Sequence, residues 1–221
     1  MTISEPMTVA TDYLLAILGL GWGIALWRHG ARSGQWAPRL WAGCFLVMAL
    51  GAALGGSAHG FAHSLEPEAL EGIWRATIIS LGAAGYLLLA GATTATLGGL
   101  PGRVVLGLGG LKLGVYVAWT ARHHEFYWVI LEYGSSMLVV AALMAWRLAR
   151  PSGPDRIAAR WALSGILLSV VGAVVQATGL APHPHFNHND LYHVIQMVAL
   201  WAFFRGGLEL TDAAGGGVPE S

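Results

Sequence analysis

The chain has 221 residues, 55% of them hydrophobic and only 11% charged, with a formal net charge of zero. Soluble globular domains carry about 25% charged residues, so this surface suits lipid better than water. A neutral chain also lacks the basic footprint of a nucleic-acid-binding protein, and its single cysteine, Cys44, excludes an intramolecular disulfide.

The first residues carry Glu5 and Asp12 but no Lys or Arg, so the positive n-region of a cleavable signal peptide is missing and the first apolar segment reads as a retained span. A helix needs about 20 mostly apolar residues to cross the hydrocarbon core. Seven stretches meet that length, at roughly 12–28, 39–63, 70–97, 101–121, 124–147, 155–180 and 188–208. Short connections predict one all-α, seven-helix transmembrane bundle over 12–210, between a loose N-terminus (1–11) and a loose tail (211–221). Gly19-x-x-x-Gly23, Gly51-x-x-x-Gly55 and Gly110-x-x-x-Gly114 each put two small residues on one helical face, where neighbouring backbones can approach closely.

Positive charges set the orientation. Arg28, Arg32, Arg39, Arg103, Arg147, Arg150, Arg156, Arg160 and Arg205 fall on one side, against Arg75 and Arg122 on the other. The positive-inside rule then places the N-terminus outside and the C-terminus in the cytoplasm of a multi-pass cell-membrane protein.

Histidine carries the chemistry. Of the nine histidines, only His29 falls on the cytoplasmic side; His59, His63, His123, His124, His183, His185, His188 and His193 gather on the outer side. His59 and His63 close the second span four residues apart, a spacing that can present two nitrogens to one metal. The seventh span opens with His188-Asn189-Asp190-Leu191-Tyr192-His193-Val194-Ile195-Gln196. Here Asn187, Asn189 and Asp190 suit a helix N-terminus, while His193 lies deeper and shares a face with Asp190, which is placed to orient a metal-bound imidazole. The ends of spans two and seven face the same side, so His59, His63, His188 and His193 form a candidate zinc set. Glu66, Glu68 and Glu71 border it beside Pro67 and suit a first helical turn, and Glu71 is also a candidate base. Lys112 and Glu132 reach similar depth on neighbouring spans and read as an ion pair. Gln176 sits near the same outer end.

Seven spans, Gly56-Ser57 with His59 or His63, and Leu191-Tyr192-His193-Val194 resemble the superfamily of alkaline ceramidases and progestin/adiponectin-type receptors. The resemblance implies a zinc ion held by histidines of helices two and seven, an assisting serine (Ser57) and aspartate, and hydrolysis of a lipid amide; no aspartate stands early in span three, where Glu71 is the nearest substitute, and Asp190 is the other candidate carboxylate. Ser57 is two residues from His59 and six from His63 where the family spaces four, and Asn189 stands where the family has its first helix-seven histidine. The expectation is therefore a zinc-dependent intramembrane hydrolase of an amphiphilic lipid amide or ester, with membrane lipids and a small amphiphilic substrate as its partners. A haem-binding electron carrier and a non-enzymatic sensor or transporter are the alternatives.

Overall fold

Long apolar runs punctuated by Pro and Gly dictate where the helices start and stop. The computed structural model describes residues 3–149 and 155–213; Arg150 and residues 214–221 of the expected tail lie outside them. Among the described residues there are seven helices: α1 (Pro6–Ser33), α2 (Trp36–Phe61), α3 (Pro67–Thr96), α4 (Gly99–Trp119), α5 (Phe126–Ala149), α6 (Asp155–Thr178) and α7 (His188–Leu208). Pro6 and Pro67 each occupy the first turn of their helix, where the missing N–H costs nothing. Gly34 ends α1 in the left-handed conformation at φ 72°, returning its N–H to the Gly30 carbonyl.

Six of these helices, α1 to α6, are long and apolar enough to cross a membrane. α7 carries His188, Asn189, Asp190, His193, Gln196 and Arg205, and is the one that falls below that threshold among the described residues. The protein is thus all-helical and compatible with a membrane bundle.

Helix neighbours define a ring. α1 packs on α2 and α7, α2 on α3, α3 on α5, α5 on α6, and α6 on α7, while α4 lies outside the ring against α3. Trp41, Phe45 and Phe203 are fully buried at the contact of α2 with α7. The Trp41 indole N–H donates to the Leu88 carbonyl at 3.0 Å, which satisfies its one polar atom inside an apolar core.

Two of the three glycine pairs mark close approaches. A methyl at Gly19 would lie 3.2 Å from Ala49 Cβ, and one at Gly51 would lie 3.4 Å from Ser80 Cβ. In the third pair only Gly110 meets a neighbour, the Tyr86 ring at 3.8–3.9 Å, while Gly114 faces open space on the peripheral α4. The expected Lys112–Glu132 pair forms at 3.1 Å, with Lys112 also donating to the Glu132 carbonyl and to Ser135 and Ser136. Every proton of that ammonium has an acceptor.

A β-carbon at Gly91 would sit 2.2 Å from the buried Trp41 ring and 2.9 Å from the Ala37 carbonyl. Gly91→Ala is expected to destabilise the bundle by about 1–3 kcal/mol, as overpacking does. Gly114→Ala should be neutral or stabilising by roughly 0.5–1 kcal/mol through helix propensity. Thermal unfolding of the two variants in detergent checks the contrast, and equal melting temperatures would contradict the packing described.

Candidate functional site

The histidine-bearing ends of α2 and α7 lie at the same end of the bundle, together with the start of α1. α1 begins at Pro6, earlier than the loose N-terminus expected from sequence, and its first turns carry Thr8, Thr11 and Asp12, all buried. These polar side chains face α7. Thr8 donates to Asp190 Oδ1 at 2.9 Å, Thr11 Oγ1 lies 2.9 Å from His193 Nδ1, and Asp12 Oδ1 lies 3.2 Å from His193 Nε2. Asp12 is only 4% exposed and His193 8%. Ionisable groups this deep in an apolar bundle require partners, and each is the other's.

Thr11 is also within reach of the Met7 and Thr8 carbonyls. If its single hydroxyl proton goes to the ring, Nδ1 accepts and Nε2 carries the ring proton toward Asp12; if it goes to a carbonyl, Nδ1–H donates to Thr11 instead. The second carboxylate oxygen, Asp12 Oδ2, is buried without a hydrogen-bond partner. The missing side chain at Gly56 leaves room for Asp12 against the closely packed α2, since a methyl there would lie 2.8 Å from Asp12 Cβ.

Asp12, His59, His188 and His193 line a cavity of about 770 Å³ inside the ring. Its walls are otherwise largely apolar, with Trp74, Phe126, Tyr192, Gln176 and Gln196 near them. Ile130, Leu131 and Leu138 of α5 and Val170 of α6 line it while being exposed themselves (43, 45, 74 and 52%). The cavity therefore reaches the outer surface of the bundle between α5 and α6. His59 and Trp74 also border a second cavity of about 450 Å³ between α2 and α3, with Glu71 on its far wall.

The sequence-expected site residues are brought together only in part. His59, His188 and His193 share the main cavity. His63 does not: α2 ends at Phe61, so the four-residue spacing no longer holds both rings on one helical face, and His63 Nδ1 instead meets Ser4 Oγ at 2.8 Å on the surface. His188 is the first residue of α7, after the Asn187 cap. Asp190 is 1% exposed and completes a capping box with Asn187, accepting from the Asn187 N–H at 2.8 Å. The carboxylate on the His193 ring is that of Asp12 rather than Asp190. Ser57 meets the Tyr13 hydroxyl at 3.0 Å and donates to the Ala53 carbonyl. Glu71 is exposed and lies 3.7 Å from His124.

Zinc–nitrogen bonds require about 2.0–2.1 Å to a common point. Among the described residues no three His, Cys, Asp or Glu side chains form a group that could hold a metal ion. Both nitrogens of His193 are engaged, and His63 meets Ser4 at the surface. The missed residues, Asp12, Thr8 and Thr11, had a signal: Glu5, Thr8 and Asp12 recur at helical spacing directly around Pro6.

These features define a helical, membrane-compatible bundle with a buried polar cluster at the end of an apolar cavity. The chain belongs to the family of unknown function DUF6962, whose model matches residues 7–212. Neither the curated proteins nor the solved structures contain a match.

Replacing Asp12 by Asn, His193 by Gln, and both together should reveal coupling. Contacting residues of this kind show interaction energies of roughly 0.5–3 kcal/mol. Unfolding free energies that simply add would mean the two side chains do not act as a pair.

Proposed function

We propose that the chain is a seven-pass cell-membrane hydrolase of an amphiphilic lipid amide or ester, with its N-terminus outside and its C-terminus in the cytoplasm. The observation that carries this reading is the apolar cavity that ends in Asp12, His59 and His193 and opens laterally between α5 and α6. The volume lies within the usual range of small-molecule sites, about 300–1,000 Å³. An acyl chain entering from the bilayer through the α5/α6 side would lie along Leu131, Met137 and Leu138, leaving its polar end at the cluster. α7 is taken as the seventh crossing. It has the same length as α4, and its polar residues His188, Asn189, Asp190, His193 and Gln196 line the cavity or are buried, leaving only Arg205 in its last turn exposed.

His59 is the proposed base. It borders both the apolar cavity and the smaller one at the α2–α3 end, so it can meet water and the scissile carbonyl together. Glu5 lies 3.7 Å from its Nδ1 and would stabilise the charged ring. In the reaction a water proton passes to His59 as the water oxygen bonds the carbonyl carbon. The carbon–nitrogen or carbon–oxygen bond then breaks, and the same proton goes to the leaving group. Asp12 and His193 form the wall against which the substrate's polar end is positioned, with Thr11 behind the His193 ring. The resemblance to zinc-dependent lipid amidases supports the substrate class; no step here passes through a metal.

A panel of single-chain lipid amides and esters, offered to the protein in liposomes, tests the proposal. Cleavage of at least one is expected, with His59→Gln slowing it by about 10²–10⁴-fold, the usual contribution of a general base. No cleavage of any member by the folded wild-type protein would overturn it. Zinc analysis of the same preparation separates the two routes to activated water. Stoichiometric zinc that is lost in His59→Ala and His193→Ala would transfer that task from the imidazole to the metal.

A further inference from the structure

The polar end of the cavity is specific about charge. Among the described residues, no Lys or Arg lines it. The nearest ammonium, Lys112, touches the lining residue Ser135, but its charge is matched by Glu132 and its three protons are placed. The α7 N-terminus, another potential anion site, is closed by the Asn187–Asp190 capping box, and Asp190 adds a second carboxylate there. A phosphate or carboxylate head would find no permanent cation.

Two of the lining residues carry buried acceptors without donors. Asp12 Oδ2 is buried and unpartnered, on a carboxylate that is 4% exposed. Gln176 Oε1 is also buried without a partner, because the Gln176 amide uses its N–H on Asn189 Oδ1 at 2.8 Å. Both side chains line the same cavity. An orphaned buried acceptor is costly, and more so when charged, so a ligand that brings N–H donors and positive charge removes that cost. Trp74, Phe126 and Tyr192 supply ring faces in the same lining, and such faces also attract cations.

We propose that the amphiphile this site takes carries a primary ammonium head, held by Asp12 Oδ2 and Gln176 Oε1, with its single chain in the apolar cavity. The assignment rests on reading the cavity as an amphiphile site. It goes beyond the hydrolytic reading by stating what the head must be, and it excludes phosphate and carboxylate heads.

Binding of four C12 amphiphiles to the wild-type protein in neutral phosphatidylcholine nanodiscs tests it: dodecylamine, dodecyltrimethylammonium, dodecanoate and dodecyl phosphate. Dodecylamine is expected to bind at least about tenfold more tightly than either anion, since each tenfold corresponds to 1.4 kcal/mol. Dodecyltrimethylammonium keeps the charge but has no N–H, and should bind about tenfold more weakly than the amine. Asp12→Asn should abolish the preference for cation over anion. Anions that bind as tightly as the amine would overturn the proposal, as would a trimethylated head that binds equally well. So would a folded Asp12→Asn protein that keeps the preference. If that variant does not fold, the ranking of the four ligands on the wild-type protein decides alone. The outcomes also separate the two readings. Amine preference without cleavage of any amide or ester sinks only the hydrolase, whereas cleavage without amine preference sinks only the ammonium head.

Discussion

A carboxylate and an imidazole from opposite ends of the chain satisfy one another inside an apolar bundle, and much of the arrangement depends on that contact. Asp12 and His193, 3.2 Å apart, join the first helix to the last. The Thr8–Asp190 and Thr11–His193 bonds reinforce the same seam. Each of these groups would be costly alone at that depth, because lipid offers no hydrogen bonds in exchange. Joined, they close the ring of helices where the chain's own connectivity cannot, since α1 and α7 share no loop.

The ring explains why the cavity exists and why it is one-sided. At the end where α2 turns from α1, Trp41, Phe45 and Phe203 fill the interior, and small residues bring backbones into contact. At the other end, polar side chains join α1 to α7 around the cluster, Gly56 brings α2 against Asp12, and α5 and α6 complete the cavity wall with apolar residues that also face outward. The asymmetry gives the cavity a largely apolar side along α5 and α6 and a polar end that holds Asp12, His59, His188 and His193.

α4 shows what the ring does not need. It packs on α3 from outside, exposes Leu100, Leu108, Leu111 and Val115, and contributes no residue to the cavity. Lys112 nonetheless reaches from it into α5, and its bonds to Glu132, Ser135 and Ser136 tie the peripheral helix to the ring. A polar clasp does here what close glycine packing does between α1 and α2.

The apolar runs that become α2 to α6, the Lys112–Glu132 pair and the cap that opens α7 are legible in the residues, because each depends on neighbours a few positions apart or on depth counted along a helix; the start of α1 at Pro6 is not. Histidines gathering at one end follow from alternation of the helices. The partner of each histidine does not. His59 and His63 look equivalent by spacing, but α2 stops at Phe61 and sends His63 to the surface. Asp190 is the carboxylate nearest His193 in sequence, yet it is held by its own cap and by Thr8, and Asp12 takes the imidazole. Local order therefore determined that this is a helical, lipid-compatible chain with polar groups concentrated at one end. Only the packing of α1 against α7 decided which of those groups meet, because contacts between residues some 180 positions apart depend on how helices are placed around the ring and not on any repeat within them.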